Sequence, residues 1–284
     1  MSTPPIQWYP GHIARAQRQL KQQLQKVDVI FEVLDARIPQ SSRNADLDQW
    51  TNDKPRVIVL NKADCVPAHT VKAWQAWFQS CGQNAWPTNA RDGKGVAAIE
   101  QAAHNVGQAT NDRRRKRGMK PRAVRAVVIG FPNVGKSALL NRLLGKRVVE
   151  SARKPGVTRQ LRWVRLGKQL DILDAPGILP PQLNDQQAAL KLAICDDIGQ
   201  ASYVTEHVAA SFLEMLPPLD AQAEEIACSR YGFDSLSKPG SILIQDFALR
   251  VHAGNTGRAA QQILTDFRKG TLGAVALELP PDCT

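Results

Sequence analysis

The sequence predicts an α/β fold, a mostly parallel six-stranded sheet followed by a small helical domain. Three observations carry this. Short apolar runs of strand length alternate with helical stretches through the first part of the chain. A glycine-rich loop, Gly130-Phe131-Pro132-Asn133-Val134-Gly135-Lys136-Ser137, sits between one such run and the start of a helix, the strand–loop–helix context in which backbone N–H groups cradle phosphate. From about Leu183 the strand signals largely stop and helical segments dominate. The chain therefore divides into an α/β part, residues 1–180, and a helical part, residues 181–284.

Taken in order, residues 13–26 (IARAQRQLKQQLQK) are helix-like, and Val27–Asp35 reads as a buried strand. Arg56–Leu60 is a second strand. Pro67 opens a helix to about Ser80 whose Trp74, Trp77 and Phe78 share one face, the spacing of core residues. A short strand at Ala85–Thr88 and a helix from about Val96 lead to the densest positive run, Arg113 to Arg122. Strand Ala123–Ile129 enters the glycine-rich loop, and Ser137–Leu144 begins the helix behind it. Leu161–Leu166 and Gln169–Leu173, joined by Gly167-Lys168, form a hairpin. The helical part is punctuated by Pro217-Pro218 and Lys238-Pro239-Gly240.

The composition is that of a globular chain of 284 residues, with 37 Lys and Arg against 26 Asp and Glu, a net charge of +11. That surplus favours a polyanionic partner, nucleic acid before membrane. The five cysteines, Cys65, Cys81, Cys195, Cys228 and Cys283, form no metal-ligand spacing and read as reduced thiols. No apolar run approaches membrane-span length and the N-terminus has no apolar signal core, so a cytoplasmic protein is expected; a monomer is the expected state, though no sequence feature fixes it.

The chemistry lies in five short segments. In the phosphate loop the N–H groups of Asn133, Val134, Gly135, Lys136, Ser137 and Ala138 surround phosphate oxygens. Lys136 neutralises the β/γ charge and Ser137 offers its hydroxyl to Mg²⁺. Asp174-Ala175-Pro176-Gly177 ends an apolar strand, where a carboxylate can hold Mg²⁺ through water and the Gly177 N–H can meet a γ-phosphate. Between them, Thr158 of Pro155-Gly156-Val157-Thr158 supplies a loop hydroxyl for the same metal. Asn61-Lys62-Ala63-Asp64 follows a strand and suits guanine. The Asp64 carboxylate accepts from N1–H and N2–H, Asn61 reads the Hoogsteen edge and Lys62 covers the ring. Thr88-Asn89-Ala90 places backbone N–H groups near guanine O6. GTP and GDP are thus the expected ligands.

The order is rotated: the base-reading segment precedes the phosphate loop. A chain can tolerate such a rotation when the old termini are close enough to be joined, so the fold expected is a circularly permuted P-loop G domain. These segments, with Trp8-Tyr9-Pro10-Gly11-His12, Asp35-Ala36-Arg37-Ile38-Pro39 and Asp266-Phe267-Arg268, resemble the circularly permuted ribosome-assembly GTPases, above all the ribosome-biogenesis GTPase A family. The resemblance covers nearly the whole chain. It implies GTP hydrolysis during late maturation of the large ribosomal subunit, with the subunit precursor and its rRNA as partners. Ala138 stands where the family often has Thr, a departure that leaves Ser137 its metal role.

The permutation cuts the chain within switch II, the segment after the D-x-x-G glycine. Ile178 occupies the place of the water-orienting Gln of Ras-like enzymes, and an aliphatic side chain cannot position water. The N-terminal helix then brings His12 to the γ-phosphate as a replacement, a role the family implies; the alternative is a helix-capping or core histidine. Asn133 is the expected K⁺ ligand, the alternative being a turn-stabilising Asn. Arg113 to Arg122, with Arg250, His252, Arg258, Arg268 and Lys269, is the candidate rRNA footprint, the alternative being a solvated basic helix end. A GTP-gated RNA-binding switch with negligible hydrolysis is the competing function.

Overall fold

The computed structural model describes residues 6, 20–44, 46–51, 54–145, 162–166, 170–175 and 184–281. Six strands form one sheet: β1 (Val29–Asp35), β2 (Arg56–Asn61), β3 (Ala85–Thr88), β4 (Val124–Ile129), β5 (Arg162–Leu166) and β6 (Leu170–Asp174). Their spatial order is β3-β2-β1-β4-β6-β5. All neighbours are parallel except the β5–β6 hairpin. All seven residues of β1 are buried, which explains its continuous apolar run: a central parallel strand is covered on both faces. Of its two charges, Glu32 faces Arg43 at 3.4 Å and Arg56 at 3.6 Å, and Asp35 ends the strand.

The helices are α1 (Leu47–Thr51), α2 (Ala68–Ser80), α3 (Val96–Lys116), α4 (Lys136–Leu143), α5 (Gln186–Ile194), α6 (Thr205–Leu219), α7 (Ala221–Tyr231), α8 (Gly240–Val251) and α9 (Thr256–Arg268). Residues 20–24 are also helical, within the predicted N-terminal helix. Trp74 and Phe78 are core residues of α2, as their spacing predicted. The basic run closes a helix, in line with its alternative reading: Arg113–Lys116 form the last turn of α3, where cations meet the negative end of the helix dipole. Pro217 and Pro218 lie inside α6, in its final turn. Each proline forfeits one i→i−4 bond there, and Asp220 starts α7 immediately by accepting from Gln222 and Ala223 N–H.

One apolar core runs from the sheet into the helical part without a break, joining Phe31, Val59 and Ile172 to Leu192, Phe212, Phe247 and Phe267. Helix α8 crosses α6 so closely that a Cβ on Gly240 would lie 2.2 Å from Ala210 O. The chain's beginning meets the helical part as well: Ile6 N–H donates to Gln186 Oε1 at 2.9 Å. After α9 a C-terminal strap returns to the sheet. Leu277 N–H donates to Arg37 O at 2.9 Å, and Trp74 Nε1 donates to Glu278 O at 3.3 Å. The Glu278 carboxylate accepts from Gln40 N–H, Ser41 N–H, Ser41 Oγ and Lys191 Nζ.

Candidate nucleotide site

In a parallel sheet every strand ends at the same edge, and ligands bind there, beside the point where the strand order reverses. The chain moves outward one way from β1 through β2 to β3 and the other way from β4, so the reversal lies between β1 and β4. That edge carries Asp35, Asn61, Thr88, the phosphate loop after Ile129, and Asp174. Sequence segments spread over 140 residues thus converge because they share one topological position.

The phosphate loop leaves β4 at Gly130 and enters α4 at Lys136. Gly135 has φ 102°, and a Cβ there would stand 2.1 Å from Asn61 Nδ2, so the loop needs glycine both for conformation and for space. Lys136 is buried and its Nζ donates to Phe131 O at 2.6 Å. Burial lowers its pKa to about 8, against the opposing charges of Asp174 and Asp197. Bound phosphate favours the ammonium form, so a proton is taken up on binding at pH values above the free pKa. GDP affinity, titrated in EDTA, is therefore expected to be flat below about pH 8 and to fall by up to about tenfold per pH unit above it. A constant Kd to about pH 9 would mean that the free ammonium is not depressed by burial. Ser137 and Asp174 offer the hard oxygen donors that suit Mg²⁺.

Asn61 clamps the two halves of the site together. Its Nδ2 donates to Val134 O at 2.7 Å and its Oδ1 accepts from Ala90 N–H at 2.9 Å. One amide hydrogen is left for a base edge. The two backbone donors expected at O6 are both engaged: Ala90 N–H by Asn61, and Asn89 N–H by Lys94 O at 3.0 Å. A guanine oxygen near them would have to share them with these acceptors. Lys62 adopts a left-handed conformation, φ 61°, and opens a short 3-10 turn, Ala63–Cys65, that leaves Asp64 exposed.

The Lys62 ammonium bonds to Asp35 Oδ2 at 2.6 Å and to Asp197 Oδ1 at 3.1 Å. Arg37 completes a buried quartet, donating to both Asp35 oxygens and to Cys195 O. Burial would raise the Asp35 carboxyl, but Arg37 and Lys62 outweigh it and hold it well below the usual carboxylate range. Asp197 goes the other way: burial pushes it up to about 7, with Lys62 opposing. Asp197 is placed by the C-terminus of α5, where Asp196 at φ 65° takes the left-handed position and Asp197 N–H bonds back to Leu192 O at 2.9 Å. Asp196 O accepts from Asn133 Nδ2 at 2.7 Å. Any cation ligation by Asn133 therefore falls to its amide oxygen.

The segments Asp35-Ala36-Arg37 and Asp266-Phe267-Arg268 meet at this turn. The Arg37 guanidinium lies over the Phe267 ring at 5.2 Å. Arg268 donates to Ala193 O, Ile194 O and the Tyr203 hydroxyl oxygen, and Asp266 accepts from Arg230 and Tyr231. Arg268 is thus committed inside the molecule and drops out of the expected nucleic-acid footprint; its carbonyl-capping geometry outcompetes solvent exposure. Arg250, which bonds Tyr231 O and Gly232 O, caps α7, and Arg122 pairs with Asp28 through two bonds. Arg113, Arg115, Lys116, Arg117 and Lys120 stay exposed. The Asp35, Arg37, Cys195 and Asp197 contacts were not foreseen from the sequence; the Asp-Ala-Arg triplet was the only signal. His12, Thr158, Gly177 and Ile178 lie outside the described residues.

A family model described as a 50S ribosome-binding GTPase matches residues 125–227. The ribosome biogenesis GTPase A of Bacillus licheniformis is 36% identical over 98% of this chain and 99% of its own length. Its counterpart in Thermotoga maritima is 28% identical over 98% of this chain and 96% of its own. Among solved structures, YlqF from T. maritima in its GNP-bound form superposes with a TM-score of 0.64 at 26% identity, covering 95% of this chain and all of that one. The GDP-bound form gives the same TM-score.

Proposed function

The chain belongs to the ribosome biogenesis GTPase A family, a GTP-hydrolysing ribosome assembly factor, and on that premise we propose that it acts late in large-subunit maturation, binding the precursor's rRNA in a nucleotide-dependent way. The single observation that supports this most directly is the separation of two anion-seeking surfaces. The nucleotide site occupies the C-terminal edge of the sheet, whereas the exposed cations close a helix of 21 residues that starts at that edge. At 1.5 Å per residue they stand about 30 Å away, so they serve a second polyanion. Residues 181–284 form a helical unit that contributes the exposed Arg258 and Lys269 to RNA binding beside the α3 cations, and the protein works in the cytoplasm as a monomer. No helix among the described residues is long and apolar enough to cross a membrane.

In this reading Asp64, Asn61 and Lys62 select guanine, and Lys136 with the loop N–H groups holds the phosphates. Ser137, Asp174 and Thr158 hold Mg²⁺, which when bound draws charge from the phosphate oxygens. Asn133 holds K⁺. His12 orients the attacking water in place of the glutamine that Ile178 cannot replace. GTP turnover is expected to rise at least about tenfold with immature large subunits in K⁺, and to lose most of that rise in Na⁺ or in His12→Ala. Turnover that stays at the basal rate under every condition, with nucleotide-dependent particle binding intact, would leave the GTP-gated switch as the better reading.

A further inference from the structure

The turn that ends α5 touches the nucleotide site twice. Asp196 O accepts from Asn133 within the phosphate loop, and Asp197 Oδ1 accepts from Lys62 within the base-reading segment. Asp197 is fully buried, and its Oδ2 has no hydrogen-bond partner among the described residues. A desolvated carboxylate with an unsatisfied oxygen is destabilising unless a nearby cation compensates. The cation here is Lys62, which a second carboxylate, Asp35, already pairs. With Asp197 ionised, two anions and two cations make the quartet neutral, and Asp197 is the member that comes from the helical part. Lys62 is thereby anchored from both sides at its ammonium, while its side chain remains 24% exposed. The alkyl stem is the portion left to meet a ligand.

We propose that Asp197 is a positioning residue for the guanine nucleotide: it fixes the Lys62 ammonium so that the stem is preorganised to cover the base. Affinity then depends on the seating of the helical part, because the turn that carries Asp197 is held by Arg37 and Arg268. The physical basis is the entropy that a long side chain does not lose again on binding when it is already immobilised. The proposal rests on assigning Lys62 to the base plane.

A double-mutant cycle tests it, with GDP as the probe: Asp197→Asn, Lys62→Met, both together and the unmodified chain. Removing the Asp197 charge also relieves repulsion toward the phosphates, which opposes the expected weakening, and most so in the native background, where Lys62 favours the ionised carboxylate. Asp197→Asn is expected to weaken GDP about fivefold more in the native background than beside Lys62→Met. An equal factor in the two backgrounds, or no weakening in either, would overturn the proposal, since a purely structural role does not require Lys62. If Asp197→Asn fails to melt cooperatively, Asp197→Ser takes its place in the same cycle. Binding of ADP as tightly as GDP by the unmodified chain would remove the guanine assignment, while the cycle repeated with ADP would still decide whether Asp197 acts through Lys62.

Discussion

Asn61→Ala is expected to weaken GDP binding by at least about a hundredfold, which corresponds to about 2.7 kcal/mol. The side chain is buried and bonds both the phosphate loop at Val134 and the segment at Ala90. Truncation leaves a carbonyl and an N–H in poorly hydrated surroundings, each worth about 1–3 kcal/mol, and Gly135 has no side chain to fill the space beside it. Isothermal titration with GDP and thermal melting of the nucleotide-free protein measure the two consequences separately. Asn61→Asp is expected to be no milder, because it retains the acceptor for Ala90 but brings a second oxygen against Val134 O. A loss below about tenfold with an unchanged melt would mean that the two loops keep their spacing without the clamp.

Arg37→Met is expected to lower the unfolding free energy by about 3–5 kcal/mol, the usual consequence of removing one partner from a buried ion pair. The guanidinium is buried, chelates Asp35, satisfies Cys195 O and lies on Phe267. Methionine retains much of the volume, so the effect reads the charge and the hydrogen bonds more than a cavity. Asp35 would keep Lys62 and the backbone N–H of position 37, and the turn after α5 would lose one of its two arginine grips. Chemical denaturation of the two proteins without nucleotide gives the difference. A loss smaller than about 1 kcal/mol would show that Lys62 alone neutralises Asp35.

The six strands were legible because central parallel strands are buried on both faces and leave continuous apolar runs, as in Val29–Asp35 and Val124–Ile129. The phosphate loop was legible because its strand–loop–helix turn depends on glycine conformations that few other residues supply. The quartet was not. Asp35 and Arg37 are neighbours in sequence, but Lys62 and Asp197 join them from 27 and 162 positions beyond Asp35, and a pairing over that distance leaves no periodic trace. Arg268 was misread for a related reason: the sequence shows a basic residue, whereas the end of α5 supplies the carbonyls that hold it. The five-residue α1 is too short to show a helical period and went unpredicted.

The C-terminal strap has a consequence for how the molecule is made. Glu278 ties Ser41 to a segment that leaves the translating ribosome 237 residues later. The base-reading wall emerges before the phosphate loop, and the strap that bonds Arg37 O only after α9. Contacts of such long sequence separation form late in folding. Vectorial synthesis thus withholds a finished guanine site from the nascent chain, so that a half-made copy has little means of drawing on the cell's GTP before the part that must respond to it exists.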